Sequence, residues 1–422
     1  MLRRSALTAQ FVSLIAGMVL APASTALAQR SAPSVRTTDR IEATELPVEP
    51  IRPIADRALP PRFDPQGQRP VIMLTGYWPP TNEAVRRFSA DPVKNPLGWI
   101  GSNWESRGYD VYAYFPEFNP PNCNNCGRGF GDLEVDYQDT SEDWWRFVDL
   151  HKPIAIITFS RGNPNLSWEV EMNQYNRAQW INDYLPPYQP TPVPPDASVP
   201  PGHLRLSKLP VQEIVDAINS SGLGLNGYIC FSGDGGGFLS EFIAYHGVWY
   251  QNINASPASP EWCVSAGHVH VGGLVTWPIA EQAAQVTLRV VMDHVDAIVD
   301  RTVVQEDIGY GGPGSAKLVV AGDELRTGGT ADLLLYDAPA NTRFVILGSR
   351  RFNPRNYMGG VVVPLPSIVM HEGVTDADGR YLRTGIEGGR GRFDFYVQAI
   401  YHDPSQPQGR GFSNAVRMEF YP

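Results

Sequence analysis

From residue 69 onward the chain alternates short apolar runs with longer stretches in which apolar residues recur every three or four positions. The runs fall at 71–74, 111–114, 154–157, 227–231 and 268–271, and the longer stretches at 142–150, 211–220 and 280–299. A short apolar run bounded by turn-forming residues reads as a strand, and a three-to-four spacing as a helix with one buried face. Strand and helix in alternation predict an α/β fold, a parallel-type twisted sheet flanked by helices. After residue 315 the pattern changes. Alternating segments at 333–336, 344–347, 393–400 and 416–421, parted by turn signals, predict a smaller all-β sandwich over 315–422. One of those signals, Asp376-Ala-Asp-Gly379, lacks the further ligand positions of a calcium loop and reads as a hairpin turn.

The first 68 residues fit neither pattern. Arg3 and Arg4 precede an apolar stretch at 11–21, and Ala26-Leu27-Ala28 follows it, the order of a secretory signal cleaved after Ala28. That stretch falls short of the roughly 20 residues that cross a bilayer. Residues 1–28 are therefore expected to be a signal peptide and 29–68, rich in Pro, Arg and acidic residues, an extended segment. The α/β domain is expected over 69–305, with the boundary to the β domain at 309–314. A proline-rich stretch at 184–202 is too interrupted for a helix or central strand and reads as a surface excursion. The working protein is expected to be secreted or periplasmic.

Composition narrows the function classes. At 422 residues and 42% hydrophobic content the chain can bury a sizeable core. A formal net charge of −10, with no long Lys or Arg run, argues against nucleic acid or an anionic membrane as partner. No later apolar run has membrane-spanning length. The even set Cys123, Cys126, Cys230 and Cys263 suits an oxidising compartment. Cys123 and Cys126 lie in a Pro-, Asn- and Gly-rich loop with no helix to lower a thiol pKa, so they read as a small structural disulfide and not a redox pair. Cys230 and Cys263 could bridge, although sequence does not fix the connectivity. A zinc knuckle would need a second such pair. Neither the oligomeric state nor any cofactor is implied.

Two segments carry candidate chemistry. Ser232-Gly-Asp-Gly-Gly-Gly-Phe-Leu-Ser240 follows a strand and leads into a helix, so Ser240 falls near a helix N-terminus, where outward backbone N–H groups favour a developing negative charge. Ser240 is thereby a candidate nucleophile, and Gly235 and Gly236 belong to the turn that would build an oxyanion hole. The glycines alternatively make only a tight turn, with Ser240 packing the helix. The turn lacks the Lys-Ser/Thr ending of a phosphate-binding loop. In Ala266-Gly-His-Val-His-Val271 the period of two points His268 and His270 to one sheet face. No other ligand type sits at metal spacing beside them, so a general base fits better than a metal site.

Together these segments resemble the pyrrolidone-carboxylate peptidases (pyroglutamyl peptidase I), cysteine peptidases that remove N-terminal pyroglutamate. The family's S-x-D-A-G-R-Y-L-C segment is similar to this chain at Ser232, Asp234, Gly236, Phe238 and Leu239, with Ser240 at the position of the nucleophilic Cys. Its A-G-F-I-H-V-P motif resembles residues 266–272 and places His270 on the catalytic histidine. Its G-R-T-x-I-x-x-E motif has the spacing of Gly162 to Glu169, so the resemblance gives Glu169 the orienting carboxylate, with Glu171 as substitute. Leu74-Thr-Gly-Tyr-Trp-Pro79 looks like its opening L-T-G-F-E-P-F, and Asn95-Pro96 like its N-P-S. The likeness spans residues 71–294. It implies a hydrolase for a peptide or small amide, with Ser240, His270 and Glu169 as triad and Tyr77, Gly235, Gly236 and Phe238 around the substrate. Two departures matter. A Ser hydroxyl depends wholly on its base, since its pKa is far above that of a thiol. Tyr77 and Pro80 stand where the family has pocket Phe residues. Two other readings stay open: an inactive relative that binds a peptide end or glycan, and an esterase using Ser160 of Phe159-Ser-Arg-Gly162, a nucleophile elbow whose first Gly is Thr158.

Overall fold

Strand β1 (Val71–Thr75) is the first strand of the described residues and is apolar on both faces. Such a strand must be covered on both sides, and it lies inside a six-stranded sheet with β2 (Asp110–Tyr114), β3 (Ala155–Arg161), β4 (Ser167–Glu171), β5 (Asn226–Cys230) and β6 (Ser265–Val271). The computed structural model describes residues 69–123, 126–233 and 235–422. The expected signal peptide, the 29–68 segment and Asp234 lie outside the described residues.

The strand order is β2-β1-β3-β6-β4-β5. β1, β2, β3 and β6 run parallel, whereas β4 pairs antiparallel with β6 and β5 lies parallel to β4. The expected parallel sheet is thus a mixed one. β4 carries Ser, Trp, Glu and Val in place of an apolar run, so hydrophobic patterning does not mark it.

Helices cover both faces. On one face α1 (Thr81–Val85), α3 (Val211–Ser220) and α5 (Trp277–Arg301) pack on Ile72, Leu74, Ile157, Phe159, Val269 and Val271. The buried stripe of α5, Ala280, Ala283, Ala284, Leu288, Val291, Met292, Val295 and Val299, has the expected helical spacing. On the other face α2 (Tyr137–His151) and α4 (Leu239–Ile253) cover Met73, Ile156 and Ala266. The Asp136 side chain caps α2 by accepting from the Gln138 and Asp139 amides. Further along the same strands this face turns polar, with Thr75, Thr158, Ser160, His268 and His270 one alternation step apart.

The proline-rich stretch lies between two short paired strands at 173–175 and 204–206. A buried network ties it to α4: Arg205 Nη2 donates to Asp196 Oδ2 at 2.7 Å and its Nε to the Tyr245 hydroxyl at 3.1 Å. Tyr245 in turn donates to Asp196 at 3.0 Å, and Asn176 donates to the Asp196 carbonyl at 2.8 Å.

Beyond α5 the chain is β-rich. Strands at 317–322, 330–336 and 381–387 form one antiparallel sheet, and strands at 343–349, 368–374, 393–402 and 410–420 another. Leu318, Val320 and Leu333 of the first share a core with Ile346, Val397 and Met418 of the second. Residues 303–304 and 306–309, ahead of the expected boundary, already pair into these sheets. Gly379 closes a turn on the Asp376 carbonyl with φ +72°. Next to it Arg380 donates twice to Glu261, at 3.0 Å each, joining the β-rich part to the loop before β6.

The Asp196–Arg205 pair yields a stability prediction. With Asp196 fully buried, removing one partner leaves an uncompensated charge, so Arg205→Met should lower unfolding stability by about 3–5 kcal/mol. Urea titration would check it, and a loss under about 1 kcal/mol, the level of an exposed pair, would contradict it.

Candidate active site

The antiparallel run of β4 beside β6 gives the site its shape. His270 lies opposite Glu169, and His268 opposite Glu171, so all four side chains share one sheet face. His270 Nδ1 donates to Glu171 Oε1 at 2.6 Å. Glu171 is 2% exposed and its other oxygen accepts from Gln174 at 2.9 Å. Glu169, the carboxylate that motif spacing points to, instead meets the Tyr228 hydroxyl on β5, its register partner. The carboxylate bonded to His270 is therefore Glu171. The choice between two glutamates one alternation apart rests on side-chain reach.

Electrostatics follow from that bond. Burial alone would lower the His270 pKa, but the Glu171 carboxylate outweighs it and the net shift is upward. Burial would raise Glu171, and the His270 bond holds it well below the ordinary carboxylate range. Between those two values the pair is ionic. The contribution of Glu171 to stability is present above its ordinary pKa and lost as pH falls through the lowered one; that of His270 is present below its ordinary pKa and lost as pH rises through the raised one. Loss of the imidazolium proton from Nε2 leaves Nδ1–H on Glu171 and a lone pair on Nε2, the tautomer of a general base.

His268 is of a different kind. Its ring stands edge-on to His270 with centroids 4.6 Å apart, and burial pushes its pKa down to about 3. Thr158 Oγ1, which donates to the Gly267 carbonyl at 3.2 Å, accepts from His268 Nδ1 at 2.7 Å. A neutral histidine beside His270 adds no competing positive charge.

Ser240 is the second residue of α4. Gly237 before it has φ +64°, a left-handed conformation that favours glycine, and a Cβ on Gly235 would lie 3.0 Å from that of Glu241. The tight turn brings the Gly235 carbonyl onto Ser240, whose hydroxyl donates to it at 2.8 Å. Glu241, the next residue, acts electrostatically on both His270 and Glu171. Gly236 is exposed. Phe238 is half-buried among Trp78, Tyr137 and Tyr184, with centroids 6.2–6.3 Å away. Tyr77 lies in the core, its hydroxyl bonded to Thr140 at 2.8 Å, so only its neighbour Trp78 joins that aromatic group.

Ser160 stands in register with His270, 2% exposed, and its hydroxyl has no partner. Glu169, Glu171 and Cys230 bring possible metal-ligand atoms within 4.8 Å of one another. Glu171 is already engaged with His270 and Gln174, and burial raises the Cys230 thiol, the reverse of what a thiolate ligand needs. Cys123 and Cys126 form a disulfide, whereas Cys230 and the buried Cys263 are free. The disulfide loop adjoins the aromatic group, because Trp78 Nε1 donates to the Gly127 carbonyl at 2.9 Å. Among the described residues no helix is long and apolar enough to cross a membrane.

No family model matches the chain, and no curated protein does. Among solved structures, pyrrolidone carboxyl peptidase from Thermococcus litoralis is 16% identical, with TM-score 0.39, over 54% of this chain and 96% of that one. A pyrrolidone carboxyl peptidase structure from the hyperthermophile Pyrococcus furiosus is 14% identical, with TM-score 0.38, over 53% and 99%. The likeness is remote.

The site predicts a titration. Followed by NMR of its ring protons, His270 should titrate above its ordinary value of 6.5, and Glu171→Gln should move it downward by removing the charge that opposes burial. An unchanged or higher pKa in the variant would contradict the pairing.

Proposed function

We propose that this chain is a serine hydrolase of amide or ester bonds, with Ser240 as nucleophile, His270 as base and Glu171 as orienting carboxylate. The observation that carries the reading is the buried His270–Glu171 bond, on which Glu241, the residue after Ser240, acts electrostatically. A buried imidazole tied to a carboxylate through Nδ1 presents Nε2 as a base, and a seryl hydroxyl needs such a base. In this structure the Ser240 hydroxyl rests on Gly235. Its rotation toward His270 belongs to the substrate complex, where catalytic hydrogen bonds commonly tighten.

The motif resemblance points to an N-terminal pyroglutamyl amide as substrate. Phe238, Trp78 and Tyr184 supply the aromatic surface for a small ring in place of the Phe residues missing at Tyr77 and Pro80. The β-rich part is a separate sandwich domain in this reading, a description favoured by the core its two sheets share. Export through the N-terminal segment agrees with the Cys123–Cys126 disulfide. A second reading takes Ser160 as nucleophile, on the strength of its unpartnered hydroxyl in register with His270; its burial leaves a substrate little access.

Turnover of a pyroglutamyl anilide and a panel of small esters tests the assignment. Ser240→Ala and His270→Ala should each lose at least about 10³-fold, Glu171→Gln about 10²-fold or more, and Glu169→Gln only a few-fold. Parent-like turnover by Ser240→Ala would end the proposal, and turnover lost only in Ser160→Ala would favour the second reading.

A further inference from the structure

The turn ahead of Ser240 is held by a pair of charged residues that the hydrolytic reading does not use. Arg177, just after the short strand at 173–175, binds the Glu241 carboxylate through Nε and donates to the Gly233 carbonyl from Nη2 at 2.7 Å. Glu241 is fully buried, and its Oε2 accepts from the Gly237 amide at 3.0 Å. The Gly237 carbonyl in turn accepts from the Ile181 amide at 2.8 Å. One guanidinium and one carboxylate thus fasten both ends of the turn, at Gly233 and at Gly237. Ser240 lies between the Gly237 anchor and Glu241 itself, and its hydroxyl rests on Gly235 inside the turn.

The arrangement is costly as a stability device. A carboxylate with no solvent exposure sits near the second buried carboxylate of Glu171, and burial raises its pKa although Arg177 and the Gly237 amide oppose this. An apolar side chain at position 241 would pack in the first turn of α4 without that cost. What an apolar residue cannot do is accept the Gly237 amide and hold a guanidinium against the Gly233 carbonyl.

We propose that Arg177 and Glu241 are positioning residues, a clamp that fixes the glycine turn and thereby sets where the Ser240 hydroxyl and the turn's amides stand relative to His270. The catalytic half of this statement rests on the serine-hydrolase reading; the structural half does not. Arg177 begins the segment that leads into the proline-rich excursion, so the same clamp couples that excursion to the site.

The test uses the full chain and two readouts. Arg177→Met alone would leave Glu241 buried and unpaired, so the decisive variant joins Arg177→Met with Glu241→Met, which removes both charges together. Hydrogen exchange by mass spectrometry on peptides covering 232–241 reads the clamp directly. The double variant should lose amide protection there by at least about tenfold while the β3 and β6 peptides keep theirs. With whichever amide or ester the parent turns over, kcat should fall about 100-fold and KM change less than about threefold, the mark of a misplaced reacting group. Arg177→Lys, which keeps the charge but cannot fork to Gly233 as well, should fall between in both readouts and keeps the proposal testable if the double variant does not fold. Parent-like exchange at 232–241 in the variants would overturn the clamp whether or not any substrate is turned over. Lost protection with parent-like kcat would overturn its catalytic role. A parent that turns over nothing would count against the hydrolase reading alone, and the exchange result would still decide the clamp.

Discussion

An imidazole and a carboxylate buried together at the interior of a sheet are stable only as a pair, and the His270–Glu171 bond is the constraint around which this site is arranged. Either group alone would pay the desolvation of a charge or give it up by changing protonation. Together they hold a fixed tautomer and a fixed ring plane. Their positions come from strand geometry: the period of two puts His268, His270, Glu169 and Glu171 on one face, and the antiparallel run of β4 brings the glutamates beside the histidines. A fully parallel sheet in this order would set the register of Glu171 differently.

Other features of the fold act on that pair from a distance. Glu241 in the first turn of α4 acts on it electrostatically, and the helix is held in place by its packing on Ile156 and Ala266 and by Tyr245, which binds both Asp196 and Arg205. Through that network the proline-rich excursion, which has no regular structure of its own between 176 and 203, is fastened to the helix that carries Ser240. The excursion therefore belongs to the site's support, although its composition reads as an irregular surface loop. On the aromatic side, Trp78 connects the disulfide loop to Phe238, two residues from Ser240.

Much of this was legible before any coordinates. The apolar runs at 71–74, 111–114, 154–157, 227–231 and 268–271 each fall on a strand of the main sheet, with Ile154 and Phe231 one residue outside theirs, and the helical spacing at 211–220 and 280–299 marks α3 and most of α5. Periodicity succeeds there because those elements are buried on one or both faces. It misses β4 because that strand is half polar, with Ser167, Glu169 and Glu171 alternating with Trp168 and Val170. The alternation also shows that His268 and His270 share a face, but not that one is kept neutral by burial while the other is raised by a carboxylate. The choice of Glu171 over Glu169 was beyond sequence for the same reason, since it turns on the side-chain bonds that Glu171 makes to His270 and Glu169 to Tyr228. Arg177 gave no local signal, as its partners at 233 and 241 are more than fifty positions along the chain.

In the proposed hydrolase the buried pair activates Ser240. The most direct measurement of this is peptide mapping, by mass spectrometry, of the protein after reaction with a fluorophosphonate, which captures a seryl oxygen only where a base activates it. The expected result is one phosphonyl group, on Ser240, absent from a folded His270→Ala variant. A modified Ser160, or a folded parent protein that carries no adduct at Ser240, would contradict it.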